Sequence, residues 1–242
     1  EKGETWDACL VGEPTNPDAL GDMIKIGRRG SLSGKITVHG VQGHAAYPHL
    51  ADNPLRGLLQ LTHALMDPPF DHGTDDFQPS NLEVTTIDAG NPAVNVIPAK
   101  ATAAFNIRFN DSWTADSLKM EIIRRLDLAA AEGALRPGRS PVSYDIAWSE
   151  RPSHVFLTRN NALTASLSEA IETVTGQTPI LSTTGGTSDA RFIKDYCPVV
   201  EFGLMGQTMH MVDERVAVAD LETLTQIYGG FIAKWFDHAR AE

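Results

Sequence analysis

The chain has 242 residues, room for one large domain or two small ones, and its 42% hydrophobic and 21% charged residues are the balance of a soluble globular protein. A formal net charge of −11 excludes the broad cationic surface that nucleic acid demands, but not a small anionic substrate gripped by a few arginines. No apolar run approaches the roughly 18–20 residues of a membrane span. The opening Glu1-Lys2-Gly3-Glu4-Thr5 lacks the basic-then-apolar pattern of a signal peptide. Cys9 and Cys197 stand alone in apolar surroundings, so reduced thiols and a cytoplasmic location are expected.

In chain order, the short apolar run 8–11 predicts a strand buried on both faces and broken by Gly12-Glu13-Pro14-Thr15. Gly27-Arg28-Arg29-Gly30 reads as a hinge. Alternation over 35–39 predicts a strand with Ile36 and Val38 on one face. Asp52-Asn53-Pro54 is a helix start, a capping side chain before proline, followed by Leu55, Leu58, Leu59 and Leu65 at helical spacing. Strands follow over 82–89 and 101–110; in the second, Ala103, Phe105, Ile107 and Phe109 face one way and Thr102, Asn106, Arg108 and Asn110 the other. A helix opens at Thr114 with Leu118, Ile122 and Leu126 on one stripe, and a strand over 142–148 closes the segment. This β-α-β-β-α-β order predicts a ferredoxin-like arrangement with one sheet face left open.

The last ninety or so residues change character. A helix carrying Leu163, Leu167, Ile171 and Val174 ends at Gly176, Pro198-Val199-Val200-Glu201-Phe202 reads as a buried strand, and Leu221, Leu224, Ile227, Tyr228, Phe231 and Trp235 mark a long C-terminal helix. We therefore expect an α/β domain, from 1–29 and 152–242, into which a ferredoxin-like α+β domain, 30–151, is inserted.

Several residues carry candidate chemistry. Glu13 follows one buried strand and His210 lies in the loop after another, where open α/β sheets collect ligands. A carboxylate and an imidazole both suit zinc, although a lone loop glutamate is ordinarily solvated and most loop histidines bind no metal. In Gly43-His44-Ala45-Ala46-Tyr47-Pro48-His49, small residues let the loop pack while His44 projects; an imidazole N–H can stabilise an oxyanion, and a turn histidine bonded to backbone is the plainer reading. Ser182-Thr183-Thr184-Gly185-Gly186-Thr187-Ser188-Asp189 runs into a short helix and offers backbone N–H groups and hydroxyls to a carboxylate, with Arg28 and Arg108 as candidate cations.

Val11-Gly12-Glu13-Pro14-Thr15, Gly27-Arg28-Arg29-Gly30-Ser31, Gly43-His44-Ala45-Ala46-Tyr47-Pro48-His49, Asn95-Val96-Ile97-Pro98, Gly185-Gly186-Thr187-Ser188-Asp189-Ala190-Arg191 and His210 occur in the order found in the zinc aminoacylase/carboxypeptidase family, which the chain resembles over its whole length. The Arg28-Arg29-Gly30-Ser31 and His44-Ala45-Ala46-Tyr47-Pro48 versions are most similar to the branch that hydrolyses N-succinyl-L,L-2,6-diaminopimelate to succinate and L,L-diaminopimelate, in lysine and cell-wall precursor synthesis. The acetylornithine-deacetylating branch is the nearest competitor. The resemblance implies two zinc (or cobalt) ions, with Glu13 on one and His210 on the other. It implies a homodimer through 30–151, across which His44 and Asn95 act on the partner's substrate. Arg28, Tyr47, Arg108 and Gly186-Thr187-Ser188 would hold the substrate carboxylates.

In that family the His-x-Asp motif, a bridging Asp and a Glu-Glu pair precede the Gly-Glu-Pro-Thr segment. Only 12 residues precede Glu13 here, and none offers those motifs. Two ligands on two different ions fall short of the three or four that zinc needs. This chain by itself is thus expected to bind zinc poorly and hydrolyse nothing; a non-catalytic dimerising fragment is the reading of a different class.

Overall fold

The structure, a computed structural model, describes residues 3–132, 141–186 and 188–238. It is a mixed α/β protein of two compact units, Gly30–Val155 and the combination of Glu1–Arg29 with Phe156–Glu242. In chain order the first unit-forming strands are β1 (Cys9–Val11), β2 (Met23–Lys25) and β3 (Gly27–Arg28). The central unit holds β4 (Gly30–His39), β5 (Gly43–His44), α1 (Pro54–Met66), β6 (Asn81–Asp88), β7 (Val96–Ile97), β8 (Lys100–Phe109), α2 (Ala115–Glu132) and β9 (Ser143–Trp148). The chain then returns through β10 (Phe156–Leu157), α3 (Asn161–Thr175), β11 (Ile180–Ser182), α4 (Ala190–Ile193), β12 (Val199–Glu201) and α5 (Val218–His238).

The central unit is built on an antiparallel sheet of order β6-β8-β4-β9, the ferredoxin-like order that the β-α-β-β-α-β reading predicts. Both helices start as the sequence dictates. Asn53 accepts the Leu55 amide at 3.0 Å with Pro54 in the first turn, and Thr114 accepts the Ser117 amide at 3.1 Å. Leu58, Leu61, Leu65, Leu118, Ile122 and Leu126 then lie against Leu32, Ile36, Ala103, Phe105, Ile107 and Phe109 in one core. Each large side chain so buried contributes roughly 1.5–3 kcal/mol.

β4 begins at Gly30, not at Lys35, and the reason is steric. Gly30 and Gly34 continue the inward-facing series of Leu32, Ile36 and Val38, but with no side chain they leave no apolar mark in the sequence. Their missing Cβ atoms make room for the rings of Phe109 and Phe105, which lie across the strand in register. Residues beyond β9 stay with this unit because Ser31 and Ser153 exchange two backbone hydrogen bonds of 2.9 Å.

The other unit carries a four-stranded sheet of order β1-β12-β2-β11, in which β1 runs parallel to β12, β2 parallel to β11, and β12 antiparallel to β2. α3, capped by Asn160 at the Leu163 amide and closed by Gly176 at φ +75°, packs with α5 over Ile24, Val200 and Phe202. Leu221, assigned by periodicity to the buried stripe of α5, is largely exposed near the helix start. Strands β2, β3, β5, β7, β10 and β11 have two or three residues each, too few to show a period. Among the described residues no helix is long and apolar enough to cross a membrane.

A methyl group at position 34 would lie 2.5 Å from Phe105 Cζ. We expect Gly34→Ala to cost about 1–3 kcal/mol by overpacking, read as a fall in thermal unfolding midpoint, and Phe105→Leu in the same chain to recover part of it. An unchanged midpoint in Gly34→Ala would show that the ring moves aside freely.

Candidate functional site

Glu13 stands just past the carboxyl end of β1, next to the carboxyl end of the parallel strand β12. The Phe202 amide donates to the Val11 carbonyl at 3.0 Å, and Gly203 lies so close that a Cβ would sit 2.6 Å from the Glu13 carbonyl oxygen. Buried Asn16 donates to the Gly203 carbonyl at 2.6 Å and accepts from the Gly21 and Met23 amides at 3.1 and 3.0 Å. The Thr15 and Asn16 amides donate to the Leu204 carbonyl. These bonds tie the segment carrying Glu13 to the one leading to His210, which sits exposed at φ +64° with its amide 3.3 Å from Glu214 Oε2. Among the described residues no three His, Cys, Asp or Glu side chains converge as a metal ion requires. Glu13 and His210 are two donors, short of the three or four that zinc needs.

Beside these segments lies a charged cluster almost removed from solvent. Glu201, 1% exposed, is the cross-strand partner of Lys25, and both Lys25 and Arg28 are 6% exposed. Arg28 Nε donates to Glu201 Oε2 at 2.7 Å, Nη2 pairs with the same oxygen, and Nη1 donates to the Thr184 carbonyl at 3.2 Å. Ser188 Oγ donates to the other oxygen, Oε1. Lys25 Nζ reaches Met23 Sδ at 2.8 Å, Ser182 Oγ at 3.2 Å and Thr184 Oγ1 at 2.5 Å, all uncharged. Burial first, then the Arg28 charge, pushes the Lys25 ammonium down to about 8, against the opposing pull of Glu201. Burial likewise raises the Glu201 carboxyl; the Arg28 and Lys25 charges oppose this, and the nearby Glu13 adds to it.

Of the loop expected to hold a carboxylate, Gly186 is exposed, Ser188 is buried against Glu201, and Thr187 lies outside the described residues. α4, which follows, has four residues and no side-chain cap, so its dipole adds little. Lys25 and Glu201 were not among the expected site residues. Their signal was a charge inside an apolar strand, Met23-Ile24-Lys25-Ile26 and Val199-Val200-Glu201-Phe202, which burial makes costly without a partner.

In the central unit, β5 pairs with β7, placing His44 opposite Val96 and next to Asn95, whose carbonyl accepts the Ala45 amide at 2.9 Å. The Ala46 amide donates to His44 Nδ1 at 3.0 Å, so a neutral imidazole carries its proton on Nε2, outward. The Tyr47 ring meets the His44 ring edge-on at 5.7 Å between centroids. His44, Tyr47 and Asn95 are all exposed, polar residues brought together from the two segments that β5 and β7 pair. Arg108 is elsewhere. It pairs with Ser31 at the start of β4, whereas His44 follows the end of β4 at His39, eight positions further on, about 26 Å at strand rise.

We expect an NMR titration of the Lys25 side chain to show a midpoint near 8, not the ordinary 10.5. Arg28→Ala should move that midpoint up and Glu201→Gln should move it down, because the first removes a repelling charge and the second an attracting one. An ordinary lysine midpoint in the native chain would mean that Lys25 is solvated.

Residues 26–134 match the peptidase dimerisation domain M20_dimer. An M20 family metallo-carboxypeptidase from Sulfolobus solfataricus superposes with a TM-score of 0.74 at 14% identity, over 95% of this chain and 63% of that one. An aminopeptidase PepT from Bacillus cereus gives 0.71 at 15% identity over 92% and 56%, and an amidase of the hydantoinase/carbamoylase family from Burkholderia phymatum gives 0.70 at 15% over 96% and 55%. The chain thus spans between 55% and 63% of the length of these proteins. Residues 26–134 are thus similar to a peptidase dimerisation domain, and the chain shares its fold with solved M20 peptidases and an amidase.

Proposed function

We propose that the chain is the substrate-holding and dimerising part of a metal-dependent amide hydrolase, succinyl-diaminopimelate desuccinylase, acting in the cytoplasm on N-succinyl-L,L-2,6-diaminopimelate. The observation that supports this reading is the buried Lys25–Arg28–Glu201–Ser188 cluster beside Glu13, which gathers two cations at the end of a sheet. In the reading, 30–151 is a lid inserted into a catalytic domain of 1–29 and 152–242. Arg28, Arg108, Tyr47 and the 186–188 loop hold the carboxylates of the substrate. Glu13 and His210 each supply one ligand to a separate zinc (or cobalt) ion, and the remaining ligands come from outside this chain.

His44 and Asn95 of one copy act on the substrate of the other. The backbone bond to Nδ1 supports the role of His44, since it leaves Nε2–H to donate to the oxygen that gains charge as the amide carbonyl is attacked. The separation of Arg108 from His44 along the sheet supports a site that takes them from two copies. Acetylornithine is the competing substrate, and the resemblance of Arg28-Arg29-Gly30-Ser31 and His44-Ala45-Ala46-Tyr47-Pro48 to the succinyl-specific branch favours the succinyl compound over it.

The dimer contact fits an apolar groove of about 590 Å³ formed by Leu59, His63 and Met66 of α1, Val84 and Ile87 of β6, and Ala129 of α2. β6 is an edge strand of its sheet, and Leu59, Met66 and Ile87 are exposed. A second copy seated here would cover all three, as isologous interfaces do. Leu59→Asp should weaken dimerisation on the order of 30-fold or more, measured by sedimentation velocity. A wild-type chain that is monomeric at micromolar concentration would undercut both the dimer and the trans role of His44.

A second reading treats this polypeptide as a non-catalytic dimerising fragment, favoured by the lack of three converging metal-ligating side chains among the described residues. Zinc analysis and succinate release on the 242-residue chain separate the two. We expect less than one zinc and no turnover from this chain. In a form extended upstream through a His-x-Asp motif and a Glu-Glu pair, we expect two zinc ions and hydrolysis of the succinyl substrate in preference to acetylornithine. There His44→Ala should lower kcat by about 10²–10³. Two equivalents of zinc with turnover on the present chain would sink the fragment reading.

A further inference from the structure

We infer that the proton on His63 controls whether two copies of this chain close on each other: the apolar groove of α1, β6 and α2 takes a second copy only while that imidazole is neutral. This rests on the reading that the groove is the dimer contact, which the match of residues 26–134 to a peptidase dimerisation domain supports.

Leu59, His63 and Met66 lie at i, i+4 and i+7 along α1, so they form one stripe on the helix. All three are exposed, and all three line the groove. A partner that covers the apolar ends of this stripe also covers the histidine between them. Val84 and Ile87 of β6, with Ala64 and Ala129, make up most of the remaining wall. Its neutral polar side chains are buried and turned to their own copy's backbone. Gln60 donates to the Ala129 carbonyl, and Thr62 donates to the Leu58 and Leu59 carbonyls at 2.9 and 3.1 Å.

Among the described residues the His63 side chain has no hydrogen bond and no ion pair. Glu132, at the end of α2, is the other titratable residue of the wall; it is exposed and unpaired with His63. On α1 itself Arg56 stands two turns before His63 and Asp67 one turn after it. Glu83 and Asp88 of β6 adjoin Val84 and Ile87 and so point to the other face of the strand. Histidine is the side chain whose charge ordinarily changes between about pH 5 and pH 8. An imidazolium sealed among these apolar groups loses its water and gains no counter-ion. The dimer therefore holds fewer protons at His63 than two separate chains do. By linkage, association strengthens as pH rises through the histidine range and weakens as it falls. A two-fold contact buries one such ring from each copy, which makes the dependence steeper. In the same reading, a dimer that parts in acid also withdraws His44 and Asn95 from the partner's site.

The test is sedimentation velocity over a concentration series of the full 242-residue chain, at about pH 8 and about pH 5.5, for the wild type, His63→Gln and His63→Lys. Position 63 is exposed, and glutamine and lysine are both good helix formers, so α1 tolerates either. We expect the wild-type dissociation constant to rise about 10-fold or more at the lower pH. His63→Gln, neutral throughout, should keep the tight value at both pH values, and His63→Lys, charged throughout, the weak one. A wild-type constant that does not change, a dimer that tightens in acid, or an equal pH dependence in His63→Gln overturns the inference and leaves the dimer reading standing. So does a His63→Lys dimer as tight as the wild type at the higher pH. A wild type that is monomeric at both pH values removes the inference and the dimer reading together.

Discussion

Removing a carboxylate from water costs several kcal/mol, and that penalty at Glu201 governs how the split unit is put together. Its resolution recruits residues from three places in the chain: Arg28 at the exit of the first segment, Ser188 in the loop after β11, and the strand β12 itself. Lys25 joins because β2 and β12 run antiparallel with Lys25 and Glu201 opposite each other. The same strand end carries Gly203, whose bare backbone lets the Glu13 segment lie alongside. One buried charge thus decides where the candidate carboxylate-holding groups stand relative to the candidate metal ligand.

The central unit solves a different problem: its core is apolar, and its buried Arg125 is met by Glu121 and the Pro68 and Pro69 carbonyls. Ring stacking over Gly30 and Gly34 and the leucine stripes of α1 and α2 make a dry core on one face of the sheet. The chemistry-bearing residues are kept off that core. His44, Tyr47 and Asn95 sit on the paired β5 and β7 segments beyond the end of β4, tied by backbone bonds, and Arg108 lies on the open face near the start of β4. A sheet that keeps candidate side chains near its two ends holds them apart, which suits the proposal that each serves a different copy's site.

The long periodic elements were legible residue by residue. Asn53 before Pro54, the alternation of Ala103, Phe105, Ile107 and Phe109, and Gly176 closing α3 each carry local physics that needs no tertiary partner. The short strands were not, since two or three residues have no period. Nor was the true start of β4, because glycine writes nothing into a hydrophobic pattern even where it is the residue the core needs. At the site, Arg28 and Ser188 were visible as chemistry, but Glu201 read as one more position in an apolar strand, and its role exists only through partners more than a hundred positions away or across a loop.

Composition, periodicity and local capping therefore determined, by themselves, that this is an α/β chain with an inserted β-α-β-β-α-β unit and a net negative charge. Those properties depend on neighbours within a few residues, or on totals. Only the tertiary structure decided that Glu201 holds Arg28, that Lys25 lies buried among uncharged partners, and that Arg108 and His44 are kept at opposite ends of one sheet. Those are matters of desolvation and register, and both arise only when distant strands are brought side by side.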